Sequence, residues 1–510
     1  MASPSFRRRC IFGPLAENIV CTSAITLYNR FVLIIETRGS RLPGRFVPEK
    51  PGVRFFVRRL PFIVACAALG VLAALPPLVA QVKKGGDEAL GMYRYENFER
   101  PVTCRQCHTD IYEQWTQSMM SQAYTHHWDE IEYFELAIPH AEKDPKVADV
   151  KAGCNGCHAP VSFLAGDVPP PRPEAGSRAN EGVSCDLCHV IVERTGEPSV
   201  NYNYIVEPGR VKRGNREGVK SPYHETVYLD FIRGAEYCGT CHNEQSPYGV
   251  WVKATQLEWK EGPYAAEGVP CQVCHMPRAP GRSAVTAKEE HPDVAQHLFH
   301  GAHDPGKVRG SIELRMHPSD REVEPGDRIV ITVQAFNGKC GHKVPSGSAE
   351  ERQLWLRVTA VDAAGREYHL PVDRKGFAGE SATITNNELA YQDMGMMMDI
   401  PGFAGLPRDS LPEGDRIFCL PYLDPQGRRT IAQWNTASQG PDYRIGPRET
   451  KIETYTWTVP DGAAIGTMVV RAEMSYRRLV KSVADFLKVP DDETEIIRVN
   501  DARTTFEVVD

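Results

Sequence analysis

The stretch CNGCHAP at residues 154–160 contains the pattern that decides the fold of this chain, Cys-x-x-Cys-His. The pattern occurs five times, so two thiols and an imidazole recur in one fixed spacing. The copies are Cys104-Cys107-His108, Cys154-Cys157-His158, Cys185-Cys188-His189, Cys238-Cys241-His242 and Cys271-Cys274-His275. With 15 Cys and 16 His in 510 residues, five copies far exceed what chance would produce.

The spacing inside each copy has a chemical reason. Cys-x-x-Cys-His is the attachment pattern of c-type haem. The two thiols form thioethers with the vinyl groups of one porphyrin, and the adjacent imidazole binds the iron as its proximal ligand. We therefore predict five covalently bound haem c groups, held by the ten cysteines and five histidines of the motifs.

Two other uses of paired cysteines fit poorly. A zinc ribbon of four thiolates uses Cys-x-x-Cys pairs two at a time and has no need of a His after each pair. Five is an odd number, and every copy carries the His. A thioredoxin-like redox pair would be a single Cys-x-x-Cys near a βαβ pattern, and none is visible around these copies.

The composition indicates a globular chain. Its 510 residues are 41% hydrophobic and 25% charged, which is enough for two or three domains with ordinary cores. The formal net charge is -7, and haem propionates would add to it. This charge gives no indication of a nucleic-acid partner and favours a neutral or weakly cationic redox partner.

A basic patch followed by an apolar run marks the N-terminal region. Residues 54–59 read RFFVRR and residues 60–80 read LPFIVACAALGVLAALPPLVA. This order is typical of a secretory signal or an N-terminal membrane anchor, so we assign residues 53–83 to one of the two. Either assignment predicts a periplasmic or otherwise extracytoplasmic protein, where attachment of haem c is completed. Residues 1–52 precede this segment, and we interpret them as an extension that is either untranslated or disordered.

The pattern of apolar and polar residues changes near residue 306. Residues 84–305 carry all five motifs and a stretch with helical periodicity at 109–136, which predict a mainly helical and loop-rich pentahaem cytochrome c domain. Residues 306–510 alternate between apolar and polar side chains, as in RIVITVQAF at 328–336. This alternation predicts an antiparallel β-sandwich domain. The predicted fold class is therefore α+β multidomain.

Other histidines are candidates for the sixth iron ligands. Histidine or methionine fills the sixth position in an electron carrier, whereas an enzyme that binds substrate at iron leaves it open. Eleven histidines lie outside the motifs, and the densest cluster is HPDVAQHLFHGAH at 291–303, which could also form a surface zinc or copper site. His342, in the loop NGKCGHKVPSG at 337–347, follows a predicted strand and could reach into the haem domain.

The order of these segments resembles a known family. CRQCHTDIYEQW, GCNGCHAP, EGVSCDLCH, SPYHET, CGTCHNE, EGVPCQVCHMP, HLFHGAH and GHKVPSGSAEERQLWL follow one another between about residues 100 and 360. This order resembles multihaem c-type cytochromes related to the tetrahaem electron carriers of ammonia oxidisers and, more distantly, to hydroxylamine oxidoreductase. The resemblance implies electron transfer outside the cytoplasm through closely stacked haems, mostly with two His ligands. It also implies distal-ligand roles for His224, for His300 or His303, and for His342.

The chain departs from this family after the first motif. Members often carry a Ser-x-His there, whereas this chain reads Ser118-Met119-Met120, with His126-His127 further on. Three alternatives follow: Met119 or Met120 binds an iron, which would raise its potential; His126 or His127 binds it; or one haem has no sixth ligand from the protein.

These observations predict an exported cytochrome that carries electrons through five haems. The expected partners are a quinol-linked dehydrogenase, another cytochrome or a terminal reductase, with membrane anchoring through residues 53–83 as one form. One alternative is an oxidoreductase that acts on a small nitrogen or sulfur compound at a five-coordinate haem. A second alternative is a subunit of a conductive filament.

Overall fold

Residues 84–374, 389–407 and 414–510 are described by a computed structural model of the chain. The expectations for residues 1–52 and 53–83 fall outside the described residues. Within the described ranges, no helix is both long and apolar enough to cross a membrane.

Short helices separated by loops make up most of residues 84–305. The α-helices are Pro101–Arg105, Thr109–Thr116, His127–Ile131, Ile138–Lys143, Val150–His158, Pro160–Ala165, Cys185–Val190, Ala235–His242, Thr255–Glu261, Pro263–Ala266 and Cys271–His275, and a π-helix spans Glu132–Ala137. Several begin on a proline, which favours the first helical turn because its missing N–H has no partner there. The described part of this segment is therefore helical and rich in loops, as predicted.

The helical periodicity at 109–136 does not produce one continuous helix. Helix Thr109–Thr116 ends, turns follow, and the next helix is His127–Ile131. The hydroxyl of Ser118 donates to the carbonyl of Trp115 at 2.7 Å, and that of Ser121 donates to the carbonyl of Ser118 at 2.8 Å. Such bonds from serine to the local backbone compete with helix formation, which explains the interruption.

Four small strand pairs lie between the helices. They are Ile191–Arg194 with Tyr204–Val206, Val211–Gly214 with Glu225–Tyr228, Asn243–Gln245 with Trp251–Ala254, and Arg278–Gly281 with His291–Ala295. The second pair is parallel and the other three are antiparallel. Two of the pairs lie next to other histidines: Glu225–Tyr228 follows His224, and His291–Ala295 begins the segment that contains His297.

After helix Pro305–Val308, two sheets dominate the chain. One sheet has the order Glu322–Val323, Ile497–Val508, Gly466–Arg477, Gln353–Val361 and Glu367–Leu370, with Arg416–Phe418 paired to Gln353–Val361; the other has the order Thr450–Thr458, Arg328–Phe336 and Glu313–Pro318. All of these pairs are antiparallel except that of Glu322–Val323 with Ile497–Val508. The α+β organisation expected from the sequence is confirmed.

The two sheets share one apolar core. Strand Arg328–Phe336 alternates, so that Ile329, Ile331 and Val333 are fully buried on one face. They join Leu356 and Val470 of the larger sheet in a single cluster. The period of two in the sequence thus places each strand's apolar face between the sheets.

Further elements of the C-terminal half pack against the motif region. They are strands Leu389–Tyr391, Leu406–Pro407, Tyr422–Leu423, Arg429–Thr430 and Ser438–Gln439, and helices Met394–Met397 and Lys481–Leu487. A second core contains Trp128 and Leu136 from the helical segment together with Tyr391, Trp434 and Leu479. The described residues from 84 onward accordingly belong to one compact unit, in which the two halves are joined by apolar packing.

Candidate haem-binding site

One continuous cavity contains all five motifs. Its volume is about 2080 Å³, and the ten cysteines and five histidines of the motifs all line it. Sites for a single small molecule occupy roughly 300–1,000 Å³, so this cavity is large enough for several ligands in contact with one another. The thiols and imidazoles of its lining are the donor set that haem c requires.

Each motif occupies a short helix or its end. Helices Val150–His158, Ala235–His242 and Cys271–His275 end on the motif histidine, and Cys185–Val190 carries its motif along its length. In the first copy, Cys104 lies in helix Pro101–Arg105 and His108 follows it. One helical turn brings the two cysteines of a motif to the same side, with the histidine next to them.

Three motif histidines face a second histidine across a gap. The ring centroids are 6.3 Å apart for His108 and His224, 6.4 Å for His189 and His297, and 6.4 Å for His275 and His342. These separations are too long for direct ring stacking. With metal–nitrogen bonds of about 2 Å, two imidazoles on opposite sides of one metal have centroids roughly 6 Å apart. The three pairs therefore fit two axial ligands with an iron between them.

The hydrogen bonds of these histidines leave the correct nitrogen for a metal. In each of seven imidazoles, Nδ1 donates to a backbone carbonyl, which leaves Nε2 unprotonated, as is usual in metal-binding histidines. The acceptors are Ser283 for His108 (2.5 Å), Ala123 for His158 (2.8 Å), Arg213 for His189 (2.6 Å), Glu225 for His224 (3.2 Å), His300 for His275 (2.7 Å), Ala295 for His297 (3.0 Å) and Lys343 for His342 (2.8 Å).

Burial keeps several of these imidazoles neutral. Desolvation lowers the pKa of His242, His275 and His297 to about 4, and it also lowers the pKa of His189. A neutral imidazole is the form that binds a metal. At neutral pH these histidines are therefore uncharged, which is the form that binds a metal.

Thiols of different motifs lie against one another. The thiols of three pairs are close enough to shift each other's pKa: Cys104 with Cys185, Cys157 with Cys241, and Cys238 with Cys271. Cys188 is also within electrostatic range of Cys241. The third motif thus lies between the first and the fourth, and the fourth is also adjacent to the second and the fifth. This order is branched and differs from the order of the motifs along the chain.

The C-terminal half delivers His342 to the fifth motif. The amide of Asn337 donates to the carbonyl of His342 at 3.0 Å, which fixes the loop that leaves strand Arg328–Phe336. The backbone N–H of Lys343 donates to Glu258 at 3.2 Å, and Arg444 pairs with the same carboxylate at 2.6 Å. Because Glu258 belongs to the helical half, this buried ion pair fixes the loop across the junction.

The structure pairs two of the predicted distal ligands with motif histidines. His224 faces His108 and His342 faces His275, and their roles as distal ligands stay predictions. His297, which the sequence did not distinguish within the cluster at 291–303, faces His189. The clustering of histidines in this segment was the available indication, but their spacing alone could not select His297.

The other predicted ligands face no motif histidine among the described ring pairs, although His303 lines the same cavity. The side chain of His300 pairs with Asp304 at 2.7 Å, and its carbonyl is the acceptor for His275. His127 and His303 lie near Glu493, at 3.0 Å and 3.8 Å. Among the described ring pairs, neither His158 nor His242 faces a second imidazole. Met119 and Met120 line the cavity, and a methionine ligand stays a prediction.

Comparisons with known proteins agree with this geometry. Residues 103–190 match the model of the family described as cytochrome c554 and c-prime. A penta-haem cytochrome c552 from Thermochromatium tepidum has 20% sequence identity, and the match covers 80% of this chain and 99% of that chain with a TM-score of 0.53. Spo0M, a sporulation control protein from Bacillus subtilis, has 12% identity over 39% of this chain and 49% of that chain, with a TM-score of 0.15 that is too low to indicate a shared fold.

No curated protein matches the chain. The likeness to the penta-haem cytochrome shows the fold, and the family match places the first three motifs in a cytochrome segment. Together with the motifs and the imidazole pairs, these matches support a multihaem c-type cytochrome.

Proposed function

We propose that this chain is an exported pentahaem c-type cytochrome that relays electrons between redox partner proteins. The observation that carries this proposal is the set of three imidazole pairs, at 6.3 Å, 6.4 Å and 6.4 Å. Two protein ligands on one iron leave no position for a substrate, which is the ligation expected of an electron carrier. Bound haem would supply one-electron chemistry, with its iron alternating between the ferric and ferrous forms.

The polypeptide's part in this function is to set spacing, ligation and burial. Contacts such as Cys104 with Cys185 and Cys157 with Cys241 would hold the attachment edges of neighbouring cofactors close together. The branched order of motifs has three ends, at the first, second and fifth motifs. Each end is a candidate docking point for a quinol-linked dehydrogenase, another cytochrome or a terminal reductase.

The finer parts of the proposal rest on the sequence. The basic patch and apolar run at residues 54–80 support export, with the mature protein either released or anchored. The order of segments between about residues 100 and 360 supports a relationship to the tetrahaem cytochromes of ammonia oxidisers. The family match over residues 103–190 is compatible with this relationship.

Low-temperature electron spin resonance of the fully oxidised haem-loaded protein tests the proposal. We expect low-spin ferric signals of bis-imidazole type from at least three irons, and fast reduction of all five by a one-electron donor. A spectrum that is entirely high-spin would contradict the proposed ligation. Persistence of one or more oxidised irons under excess reductant would contradict a connected relay.

A second function is favoured by one observation. Neither His158 nor His242 faces a second imidazole among the described ring pairs, so one of their irons is a candidate for an open sixth position. Such an iron would suit an oxidoreductase of small nitrogen or sulfur compounds. A high-spin ferric signal that shifts when nitrite, hydroxylamine or cyanide is added would support this function, and a wholly low-spin spectrum would exclude it.

A further inference from the structure

A cluster of histidines and carboxylates lies outside the three imidazole pairs. His126 and His127 stand at the start of helix His127–Ile131, and Glu493 comes from a short 3-10 helix, Asp491–Thr494. Nε2 of His126 is 2.8 Å from Oε1 of Glu493, and Nε2 of His127 is 3.0 Å from the same oxygen. All three donor atoms lie within 4.8 Å of one another. The cluster therefore joins the helical half to the C-terminal half.

The carboxylate at the centre of this cluster is buried, and only one of its two oxygens has a partner. Glu493 is 1% exposed, and His126 is 7% exposed. Oε2 of Glu493 is buried with no hydrogen-bond partner in the described part of the chain. Its nearest charged or titratable neighbours are Nε2 of His303 at 3.8 Å and Nε of Arg478 at 4.0 Å. An ionised oxygen buried in this way is costly unless a further donor or a cation completes it.

The ring geometry of the cluster differs from that of the axial pairs. The centroid of His126 is 4.7 Å from that of His127 and 5.1 Å from that of His303. Imidazoles across one metal would be roughly 6 Å apart, whereas neighbouring ligands of one four- or six-coordinate ion would be roughly 4.5–5 Å apart. The ring of His126 is therefore spaced from each of the other two as adjacent ligands of one small ion would be.

A second carboxylate lies beside the most buried ring. Oδ2 of Asp129 is 3.1 Å from Nδ1 of His126, an ion-pair contact without hydrogen-bond geometry, and Oδ1 of Asp129 is 3.6 Å from Nδ1 of His158. A carboxylate on the second nitrogen of a histidine is the usual support of a metal-binding imidazole, because it fixes the tautomer and raises the basicity of the first nitrogen. Asp129 is thus close enough to support His126 in this way when an ion binds.

We propose that His126, His127 and Glu493 bind one divalent transition-metal ion that is separate from the haem irons, with His303 as a fourth donor within reach. Imidazole and carboxylate donors suit zinc and its neighbours in the first transition row, and three or four such ligands form a common zinc site. The ion would hold Asp491–Thr494 against the start of helix His127–Ile131. It would stabilise the junction of the two halves by the free energy of binding.

An ion pair without metal is the rival explanation of the same contacts. Burial would lower the pKa of His126, but the contacts with Asp129 and Glu493 outweigh burial and raise it to about 9. A charged His126 could then satisfy both carboxylates by itself. This explanation leaves Oε2 of Glu493 without a hydrogen-bond partner and does not account for the approach of His127 and His303 to the same carboxylate. It predicts that the protein takes up no metal here.

Zinc binding to the complete haem-loaded protein, without a histidine tag, distinguishes the two explanations. After removal of loosely bound metal with a chelator, Zn²⁺ is added, and zinc and iron are counted per chain by elemental analysis while affinity is measured by calorimetry. We expect one tightly bound Zn²⁺ per chain in addition to the haem iron. Binding of no zinc, or weak binding of several ions only, would overturn the proposal.

Variants test the assigned ligands. Glu493→Gln and His127→Gln should each weaken zinc binding at least tenfold, and Asp129→Asn should weaken it by about 10–100-fold. His317→Gln changes an exposed histidine in strand Glu313–Pro318 and should bind zinc as the wild type does. His127 is partly exposed, so His127→Gln tests the site even if Glu493→Gln impairs folding.

Spin resonance of the same variants separates this site from haem ligation. His127→Gln should leave every low-spin haem signal unchanged, because its imidazole is assigned to the separate ion. Loss of one low-spin signal in this variant would assign His127 to a haem iron and overturn the proposal. Equal zinc affinity in His127→Gln, Glu493→Gln and the wild type would overturn it as well.

Discussion

His297 faces His189 at 6.4 Å, and Nδ1 of each ring donates to a backbone carbonyl. These bonds leave Nε2 of both rings unprotonated, as an iron ligand requires. Replacement of His297 by alanine should therefore remove one axial ligand and leave the other four motifs unchanged. Spin resonance should show one low-spin ferric signal replaced by a high-spin one.

The exposed His317 provides the matched control for this substitution. His317→Ala removes an imidazole from a surface strand and should leave the spectrum as in the wild type. An unchanged spectrum for His297→Ala would show that the sixth ligand of that iron is another group.

Asp393 is a residue whose ionisation should make stability depend on pH. It is 1% exposed, and burial raises its pKa to about 7 from the ordinary value of 3.8. Between about pH 4 and pH 7 the folded chain holds a proton that the unfolded chain has released, so stability falls as pH rises through this range. We expect this loss, of up to about 4 kcal/mol, to disappear in Asp393→Asn.

Urea unfolding at several pH values from 4 to 8 measures this effect. The comparison of Asp393→Asn with the wild type cancels other titrating groups, because only one carboxyl differs. The amide of the variant keeps an acceptor for the hydroxyl of Thr430, which bonds to Asp393 in the native chain. Parallel pH profiles for the two proteins would refute the assignment.

At the scale of the elements, helix Val150–His158 is positioned by a glycine inside its motif. A Cβ added at Gly156 would lie 2.3 Å from the ring of Tyr202, so this helix and the loop of Tyr202 can approach only where no side chain intervenes. Gly156→Ala should lower the stability of the oxidised protein by about 1–3 kcal/mol, because the surrounding atoms must move apart. The urea midpoint reports the change.

Gly281 supplies the control for this prediction. A Cβ at Gly281 meets no atom within 4 Å, so Gly281→Ala should change the midpoint little. If both alanine variants unfolded at the wild-type urea concentration, helix Val150–His158 would not pack on Tyr202 in this way.

The loop that carries His342 depends on an ion pair between the two halves. Arg444 and Glu258 each have side chains that are 6% exposed, at a distance of 2.6 Å. Arg444→Met would leave the carboxylate of Glu258 buried without its guanidinium, which costs about 3–5 kcal/mol. We expect a lower urea midpoint and a broadened low-spin signal from the iron between His275 and His342.

The double variant Glu258→Gln with Arg444→Met should recover part of this loss, because no unpaired charge is then buried. Arg448→Met is the surface control, since Arg448 pairs with Glu267 across the same two halves but is 46% exposed, and it should cost about 1 kcal/mol or less. Equal effects of Arg444→Met and Arg448→Met would contradict the role given to the buried pair.

At the scale of the whole molecule, local chemistry was predictable from the sequence and long-range assembly was not. Each motif predicts haem attachment from five consecutive residues, and the alternation in RIVITVQAF predicts the buried face of its strand. The histidine that faces His189 is not set by local sequence. It is set by the path of the roughly one hundred residues that separate His189 from His297. The branched contact order of the thiols, and the meeting of His126 with Glu493, likewise arise only when distant segments pack together.

The C-terminal half also has a larger part than its sequence suggests. It contributes Trp434 and Leu479 to the core that covers the helical segment, and it supplies His342 and Glu493. Strand periodicity predicts the two sheets, but it carries no information about which loops contact the cytochrome segment. The haem-binding cavity is therefore a property of both halves together.

The central claim is that five haems are covalently attached to this polypeptide. The most direct measurement is the intact mass of the haem-loaded protein after denaturation and acid extraction, together with a haem-to-chain ratio from its absorbance. We predict the mass of the polypeptide plus five haems, because thioether bonds survive both treatments. A mass equal to that of the bare chain, with haem recovered in the extract, would contradict the account.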